Sequence, residues 1–573
     1  MRLALAQINA VVGDLEGNRE RILAALADAR AESADIVLLP ELAVTGYPPE
    51  DLLLRPGFVR AAEESLRAIA AETKGLTALV GTPWFDRDLF NACAVCSDGE
   101  LKALYRKRYL PNYGVFDEER YFASGRELIL LRHGEILVGP TICEDIWQPG
   151  PPATDLALAG AELLVNLSAS PYFVGKAEDR EEMLVTRARD NSAYLAFCNL
   201  VGGQDELLFD GHSVVLDDEG EVLARAPGFE EALLVVDLDP EAVIARRLRD
   251  VRRRALDQER ETPPPVSVVH IGSPRDANGS RVGGTIAPML EPLEQMRLAL
   301  ELGLRDYVEK NGFSEVLLGV SGGIDSTLVA TIAADALGGE NVVGISNPSR
   351  YSSQHSRDDA EELAARLGLD YRVIPIEPMV SAFLDNVKLS GVAEENLQAR
   401  VRALVWMGLS NQEGHLVLAN SNKSELSVGY STIYGDSVGG FAPIKDVPKT
   451  LVWELARWRN AEAVRRGETP PIPESTITKA PSAELRPGQV DQDSLPPYDV
   501  LDAILDAYVE GARGRAELVA AGFEEAVVDK VVGLVDRAEW KRRQFAPGPK
   551  ISSLAFGRDR RLPVTSRWRE QDS

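Results

Sequence analysis

One segment in the second half of the chain constrains the fold more than any other, the stretch VLLGVSGGIDS at residues 316–326. Its apolar start is typical of a buried strand, residues 321–323 predict a tight glycine turn, and residues 325–326 open a helix. A strand, a glycine turn and a helix N-terminus bring free backbone N–H groups and the positive end of a helix dipole to one point. The segment therefore predicts an anion-binding site within an α/β fold.

The segment differs from a Walker A loop, GxxxxGK[ST], because it has no lysine to clamp the β- and γ-phosphates. The hexapeptide SGGIDS instead resembles the PP-loop of the N-type ATP pyrophosphatases, which bind the pyrophosphate of ATP and transfer AMP to a carboxylate or amide oxygen. The alternative is an ordinary glycine-rich turn, which the full hexapeptide between a strand and a helix disfavours. The resemblance implies five ATP-binding residues: Ser321, Gly322, Gly323, Asp325 and Ser326.

Length and charge restrict the classes of protein that fit the sequence. At 573 residues the chain is too long for one core, so several domains are expected. The net charge of −27 argues against a general nucleic-acid binder. No apolar run reaches membrane-spanning length, and acidic residues soon after the N-terminal apolar stretch favour a first strand over a signal peptide. Four cysteines are too few for a disulfide scaffold, so we expect a cytoplasmic protein.

The first half of the chain alternates apolar strands with amphipathic helices, which indicates a layered α/β domain. Its first helix is predicted over residues 18–31, with Asn18 as the N-cap. Glu41, Lys107 and Cys143 stand at predicted strand ends. A carboxylate, an ammonium and a thiol can hydrolyse an amide through a thioester, as base, oxyanion stabiliser and nucleophile. Taken singly, each has a structural alternative: a turn cap, a solvated charge and a small buried residue.

The sequence around these three residues reads LLPELAVTGY, YRKRYLPNYGVFDE and TICEDIW, and these words resemble the motifs of the nitrilase (carbon–nitrogen hydrolase) superfamily. The resemblance implies an N-terminal αββα sandwich with Glu41, Lys107 and Cys143 as a catalytic triad. It places Glu118 beside the triad, with Glu119 as the competing choice. Members fused to a synthetase use glutamine as the amide. The resemblance then points to further glutamine contacts besides Glu118: Tyr113, Ser170 and Lys176.

The join between the two halves has the composition of a linker. Residues 246–288 pass from charged, through proline-rich, to polar and glycine-rich sequence. A new helix is predicted from about Glu291. We therefore expect a first domain over 1–261, a linker over 262–288 and a second domain over 289–573.

The second half predicts a doubly wound parallel sheet, because strands such as 341–346 and 371–376 alternate with helices. Ligands of such sheets bind at the carboxyl ends of the strands. Asp325 and Glu425 fall at two of these ends, and Mg²⁺ prefers a few carboxylates together with phosphate oxygens. The pattern predicts a metal site at Asp325 and Glu425. The alternatives are helix capping by Asp325 and a solvated helix face for Glu425.

Several words of the second half resemble the NAD synthetases: LGVSGGIDS, NPSRYSS, LQARVRA, NSNKSELSVGYSTIYGD, KAPSAEL and KRRQFAPGPKIS. The order of the two domains resembles the glutamine-dependent branch of that family. The resemblance implies that MgATP adenylates the carboxylate of deamido-NAD (nicotinic acid adenine dinucleotide). Ammonia channelled from the first domain then displaces AMP. It further implies that Arg350 and Thr432 contact ATP. The implied deamido-NAD contacts are Arg400, Glu425, Asp436, Lys449 and Lys541. A mobile loop is implied to carry Lys479 and Ser482.

The resemblance also sets expectations for ligands and partners. It implies glutamine, deamido-NAD and an ATP–Mg²⁺ substrate complex, no tightly bound organic cofactor, no nucleic acid or membrane partner, and a homo-oligomer formed through the second domain. Other amidotransferases with a PP-loop fit less well: a GMP synthetase normally has a Cys–His–Glu glutaminase, and no histidine stands near Cys143. An asparagine synthetase needs an N-terminal cysteine, but residue 2 is Arg. A tRNA-thiolating enzyme needs a basic face, but this chain is acidic.

Overall fold

The computed structural model describes residues 1–259, 264–272 and 282–570. The chain divides into two compact units: the first is Met1–Gln204 with Leu208–Leu290, and the second is Asp205–Leu207 with Glu291–Ser573. The described part of the predicted linker belongs to the first unit, and residues 262–263 and 273–281 of that linker lie outside the described residues. No helix in the described ranges is both long and apolar enough to cross a membrane.

The first unit contains two large β-sheets that share one hydrophobic core, and a third sheet of only two strands, the tenth and eleventh of the chain. Its strands are β1 Arg2–Gln7, β2 Ile36–Leu38, β3 Thr77–Asp86, β4 Asp88–Ser97, β5 Glu100–Arg106, β6 Leu128–His133, β7 Ile136–Ile142, β8 Leu163–Ser168, β9 Tyr194–Asn199, β10 Val201–Gln204, β11 Leu207–Asp210, β12 Val214–Leu216, β13 Val222–Arg225, β14 Ala232–Asp237 and β15 Val266–His270. One sheet has the order β14-β1-β2-β3-β4-β5, and the other has the order β13-β12-β9-β8-β7-β6-β15.

Helices cover the outer faces of both sheets in the first unit. They are α1 Leu15–Ala31, α2 Pro56–Ala71, α3 Glu144–Trp147, α4 Ala153–Leu158, α5 Lys176–Asn191, α6 Glu241–Arg249 and α7 Val251–Glu259. Leu5 and Leu38 of one sheet lie in the same core cluster as Val165 and Phe197 of the other, because each sheet turns an apolar face inward. This arrangement confirms the αββα sandwich.

Two local features of the first unit differ from the expectation. Helix α1 begins at Leu15, and Asp14 is its N-cap, with a carboxylate that accepts the N–H of Gly17 at 2.9 Å. Asn18 is buried inside the helix, where its amide bonds the backbone of Val11 instead. Strand β15 forms within the predicted linker, because three of residues 266–269 are valine, whose branched side chain favours a strand, and it pairs in parallel with β6 as the new edge of the sheet.

The second unit is built on a four-stranded parallel sheet with the order β18-β17-β16-β19. Its strands are β16 Val316–Gly319, β17 Val342–Ser346, β18 Asp370–Val373 and β19 Leu416–Leu418. Val316, Leu317 and Leu318 point to alternate faces yet are all fully buried, so helices cover both faces of the sheet. The doubly wound sheet is thereby confirmed. The chain continues to opposite sides of β16, and such a reversal of strand order opens a crevice at the carboxyl ends of the strands.

The helices of the second unit surround the sheet and extend it with a small helical subdomain. They are α8 Pro292–Lys310, α9 Ile324–Leu337, α10 Gln354–Leu367, α11 Glu377–Asn386, α12 Val392–Glu413, α13 Lys423–Val428, α14 Lys449–Arg465, α15 Glu474–Thr478, α16 Tyr498–Leu505, α17 Arg515–Ala520, α18 Glu525–Arg537 and α19 Glu539–Arg542. Helices α16 and α18 pack on α13 through an apolar cluster that includes Leu426, Leu501 and Val532. This packing fixes α13, which carries Glu425, beside the sheet.

Candidate functional site

Glu41 and Lys107 form an ion pair inside the first unit, each directed there by a strand end. Glu41 follows β2 and Lys107 follows β5, both side chains are fully buried, and Nζ lies 2.6 Å from Oε1. A buried ion pair is stable only when further hydrogen bonds replace the lost water. Asn91 Nδ2 and the backbone N–H of Ala169 provide them by donating to the two oxygens of Glu41, at 2.7 and 3.0 Å.

A second carboxylate, that of Glu118, binds the other side of the same ammonium. Lys107 Nζ donates to both oxygens of Glu118, at 2.8 and 2.9 Å, and the hydroxyl of Tyr47 donates to one of them at 2.9 Å. Glu119 is exposed, so the geometry places Glu118 beside the triad. Burial lowers the pKa of Lys107, but the carboxylates of Glu118 and Glu41 outweigh burial and hold that pKa above its usual value. The lysine is therefore an ammonium at neutral pH.

Cys143 lies at the turn between β7 and α3, in a strained backbone conformation. Its φ of 40° falls in the left-handed region, which costs a residue with a side chain on the order of 1–3 kcal/mol. Burial raises the pKa of the Cys143 thiol well above its usual range, and the charge of Glu41 adds to that effect while Lys107 opposes it. The thiol therefore keeps its proton at rest, and a base must remove it when the sulfur attacks. We call Glu41, Lys107, Glu118 and Cys143 the thiol site.

The three predicted glutamine contacts lie around the thiol site in different settings. Ser170 is buried, and its backbone N–H donates to Asn199 Oδ1 at 2.9 Å. Lys176 begins α5 with its ammonium 3.7 Å from the ring centroid of Trp147, and burial lowers its pKa. Tyr113 is exposed, and its hydroxyl donates to Glu144 at 2.8 Å. Tyr113 thus bonds the residue that follows Cys143, and Lys176 lies over Trp147, the last residue of the helix that Cys143 precedes.

The second unit has a cavity of about 720 Å³ at the carboxyl ends of its strands, and we call it the phosphate-loop cavity. Three segments meet in its wall: 319–326 at the end of β16, 345–348 at the end of β17 and 420–425 after β19. Most of the residues predicted for this unit line the cavity: Ser321, Gly323, Asp325, Ser326, Glu425, Thr432, Asp436, Lys449, Lys479, Ser482 and Lys541.

The glycine turn has little room for side chains. Gly322 has a φ of +76°, and a Cβ there would lie 2.2 Å from the carbonyl oxygen of Ser356, so this position requires glycine. Ser326 Oγ donates to the carbonyl of Gly323 at 3.0 Å, and Ser321 Oγ accepts the N–H of Gly323 at 3.2 Å. These bonds hold the turn against the first residues of α9, where the helix N-terminus favours an anion.

A lysine also lies between two carboxylates in this cavity. Lys449 Nζ lies 2.5 Å from Asp325 Oδ2 and 3.2 Å from Glu425 Oε1. Burial, opposed by Lys449 and reinforced by Asp325, raises the pKa of Glu425 to about 8. Asp325 and Glu425 direct carboxyl oxygens, the donors that Mg²⁺ prefers, to one point of the cavity, so the donor set fits Mg²⁺. No cluster of three or more His, Cys, Asp or Glu that could hold a metal occurs among the described residues, so phosphate oxygens would complete the coordination.

The segment that carries Lys479 and Ser482 is docked against the start of α10. Lys479 Nζ donates to Asp359 at 2.9 Å, and Ser482 Oγ accepts the N–H of Glu484 at 3.1 Å. The carboxylate of Glu484 in turn accepts the hydroxyls of Ser353 and Ser356, at 2.8 and 2.9 Å. The segment thus forms one wall of the phosphate-loop cavity beside Gly322.

Two predicted arginines lie outside the lining of this cavity. Arg350 is exposed and pairs with Glu377, and Arg400 is exposed, with its Nε donating to the carbonyl of Ile433 at 3.2 Å. Arg402 lines the cavity instead, and burial lowers its pKa to about 10. Arg402 is not among the residues that the sequence motifs predict, although it follows Glu395, Asn396 and Ala399 at the spacing of one helix face.

Comparisons with known proteins cover both units. The carbon-nitrogen hydrolase family model matches residues 2–248, and the NAD synthase model matches residues 297–545. A curated glutamine-dependent NAD(+) synthetase from Thermotoga maritima is 47% identical over 100% of this chain and 99% of its own. One from Aquifex aeolicus is 46% identical over 99% of this chain and 100% of its own.

Solved structures resemble the chain over almost its full length. A glutamine-dependent NAD+ synthetase from Acinetobacter baumannii, solved with ADP, is 39% identical with a TM-score of 0.74 and covers 98% of both chains. One from Cytophaga hutchinsonii has a TM-score of 0.80 at 22% identity, covering 99% of this chain and 98% of its own, and supports the fold alone. The full-length matches include both units in one chain.

Proposed function

Since the chain belongs to the glutamine-dependent NAD(+) synthetase family, we propose that each unit catalyses one of two linked half-reactions. The enzyme is a ligase that forms a carbon–nitrogen bond with glutamine as the amide donor. The first unit releases ammonia from glutamine at the thiol site. The second unit activates the carboxylate of deamido-NAD with ATP and transfers the ammonia to it, which gives NAD+, AMP, pyrophosphate and glutamate.

In the first half-reaction Cys143 Sγ attacks the amide carbon of glutamine. Glu41 takes the thiol proton, which the raised pKa of the thiol makes necessary. Lys107 stabilises the oxyanion of the tetrahedral intermediate, because the two carboxylates keep it charged. Ammonia leaves with the proton from Glu41, a thioester remains on Cys143, and Glu41 then activates water to release glutamate.

In the second half-reaction the glycine turn and the start of α9 bind the phosphates of ATP. A carboxylate does not accept ammonia directly, because its leaving group would be oxide, whereas an acyl adenylate releases AMP. The carboxylate oxygen of deamido-NAD attacks the α-phosphorus and displaces pyrophosphate. Ammonia then attacks the activated carbonyl carbon and displaces AMP. We assign Lys449 to the charge that develops on the phosphate, because its ammonium faces the cavity between Asp325 and Glu425.

Asp325 and Glu425 are the residues that would hold Mg²⁺. The ion, when bound, neutralises the phosphate oxygens and so eases attack at phosphorus. Lys449 would then exchange part of its contact with the two carboxylates for contact with phosphate. Thr432, Asp436 and Lys541 remain proposed substrate contacts.

The observation that carries the proposal is the presence of both sites in one chain: a buried thiol beside a shared ammonium, and a phosphate-loop cavity. The test measures conversion of ATP to AMP by the full chain with deamido-NAD, with either glutamine or ammonium as nitrogen source. Xanthosine monophosphate and aspartate, the ammonia acceptors of other amidotransferases, serve as competing substrates. Among the three acceptors, we expect only deamido-NAD to react, with equal amounts of AMP and NAD+ formed. Transfer of ammonia to another acceptor, or AMP formation without any aminated product, would contradict the proposal.

A further inference from the structure

Asp145 carries a fully buried carboxylate that has no part in the half-reactions above. It lies two residues after Cys143, in the first turn of α3. Three backbone N–H groups and one phenol hydroxyl donate to its two oxygens. A charge in such a place costs folding free energy unless its bonds are nearly complete, so its position calls for an explanation.

The two oxygens of this carboxylate bind two different catalytic segments. Oδ1 accepts the N–H groups of Arg108 and Tyr109, at 3.0 and 2.9 Å, and these are the two residues after Lys107. Oδ2 accepts the N–H of Ile142 at 3.0 Å, and this is the residue before Cys143. One carboxylate therefore ties the backbone behind the ammonium to the backbone before the thiol.

Tyr105 strengthens this tie from the strand that leads to Lys107. Its buried hydroxyl donates to Asp145 Oδ2 at 2.8 Å, and it stands two residues before Lys107 on β5. The segment on either side of the lysine is thus bonded to the same carboxylate. Hydrogen bonds to a charged acceptor are stronger than neutral ones, which suits a group that must hold a strained turn.

The strain at Cys143 makes such a tie necessary. A left-handed conformation at a non-glycine residue persists only where the surroundings fix it. Burial raises the pKa of Asp145 to about 6, and the N–H donors oppose that increase, so the group is a carboxylate at neutral pH. An asparagine has a single acceptor oxygen, and its NH₂ group would face the N–H donors of one of the two segments.

We propose that Asp145 is a positioning residue for glutamine hydrolysis, which fixes the Lys107 ammonium relative to the Cys143 thiol. It acts through the two backbones and does not contact the substrate. The proposal rests on the proposed function of the first unit. Substitution of Asp145 should therefore lower kcat for glutamine and leave its KM almost unchanged, because the groups proposed to bind glutamine stay in place.

The experiment compares Asp145→Asn and Tyr105→Phe with the matched control Asp35→Asn. Asp35 is also buried in the first unit, just before β2, and accepts a backbone N–H, that of Arg2 on β1 at 2.8 Å. Glutamine-dependent and ammonium-dependent NAD+ formation are measured on each full-length variant, together with its melting temperature. We expect Asp145→Asn to lower the glutamine-dependent kcat at least about a hundredfold, with KM for glutamine within about threefold and the ammonium-dependent rate unchanged.

Tyr105→Phe removes one donor but leaves the charge, so we expect a three- to tenfold lower kcat at unchanged KM. The positioning role is wrong if Asp145→Asn keeps kcat within tenfold of wild type, or raises KM in proportion to its loss. It is also wrong if Asp35→Asn loses as much glutamine-dependent activity at an equal change in melting temperature. If Asp145→Asn does not fold, Tyr105→Phe decides, and a wild-type rate contradicts the proposal. A wild-type enzyme without glutamine-dependent activity refutes the proposed function instead.

Discussion

The two units each place a lysine between two carboxylates, but in opposite surroundings. Around Lys107, the side chains of Glu41 and Glu118 are 0% and 6% exposed. Around Lys449, those of Asp325 and Glu425 are 19% and 17% exposed and face a cavity of about 720 Å³. The difference follows the substrates that we propose. Glutamine brings an uncharged amide to a site whose ionic groups are already bonded to one another, whereas ATP brings negative charge that a lysine and a metal must meet.

The largest effect is expected when the thiol is removed from the thiol site, whose carboxylates are almost fully buried. Cys143→Ala should lower glutamine-dependent NAD+ synthesis at least about a thousandfold, because no other nucleophile can form the thioester. Synthesis from ammonium salt at high pH should remain within about twofold. Cys96→Ala is the matched control, since Cys96 is a buried cysteine of β4 in the same unit. Loss of both activities in a folded Cys143→Ala variant would contradict the proposal that the two half-reactions occur at separate sites.

A smaller effect is expected when one carboxylate is removed from the phosphate-loop cavity. Asp325→Asn should lower Mg²⁺-dependent AMP formation about a hundredfold, while glutamine still acylates Cys143. Asp335→Asn is the control, because Asp335 also lies on α9 but pairs with Arg459 at 2.7 Å. AMP formation within about threefold of wild type would remove Asp325 from the metal site.

Binding of Mg²⁺ in the phosphate-loop cavity should also depend on pH, in a direction set by Glu425. Its pKa of about 8 means that the group is largely protonated below that pH, and a proton competes with Mg²⁺ for the oxygens. The apparent affinity for Mg²⁺ should therefore rise by about tenfold per pH unit well below 8 and level off above 8. Titration of AMP formation with Mg²⁺ between pH 6 and 9 measures this. If a Glu425→Gln variant showed the same pH dependence of the apparent affinity for Mg²⁺, another group would be responsible for it.

The smallest expected effect is on the KM values of the second unit, and it should differ between Arg402 and Arg350. Arg402→Ala should raise KM for ATP or deamido-NAD about tenfold, because its half-buried side chain lines the cavity. Arg350→Ala should change either KM less than about threefold, because that side chain is exposed and paired with Glu377. Steady-state kinetics with each substrate varied in turn give both numbers. The reverse order would favour the ATP contact that the sequence resemblance assigns to Arg350.

Sequence motifs were sufficient for both folds and for most of the chemistry, because each motif combines a strand end with its reactive residue. They were less informative where tertiary contacts decide. Asn18 and Asp14 are both good caps in isolation, and only burial of Asn18 against Val11 separates them. Likewise, Glu118 and Glu119 are adjacent in sequence, but only one of them turns toward Lys107.

The roles of lysines and arginines were the hardest to assign from sequence. Lys449 begins a helix, and nothing local shows that it reaches two carboxylates at other strand ends. Arg400 and Arg402 share one motif, and their difference lies in which face of α12 meets the cavity. Long charged side chains can reach several partners, so their positions depend on packing that a single sequence does not display.

In the linked reaction that we propose, the nitrogen freed at the thiol site is the nitrogen that the second unit transfers to deamido-NAD. Glutamine labelled with ¹⁵N in its amide, supplied with an excess of unlabelled ammonium near pH 7, tests this link. Mass spectrometry of the NAD+ formed measures the source of its amide nitrogen. We expect label in most of the NAD+, far above its share in the total ammonia pool, because in the reaction that we propose the ammonia is transferred before it mixes with solvent. Label equal to that share would contradict the linked reaction.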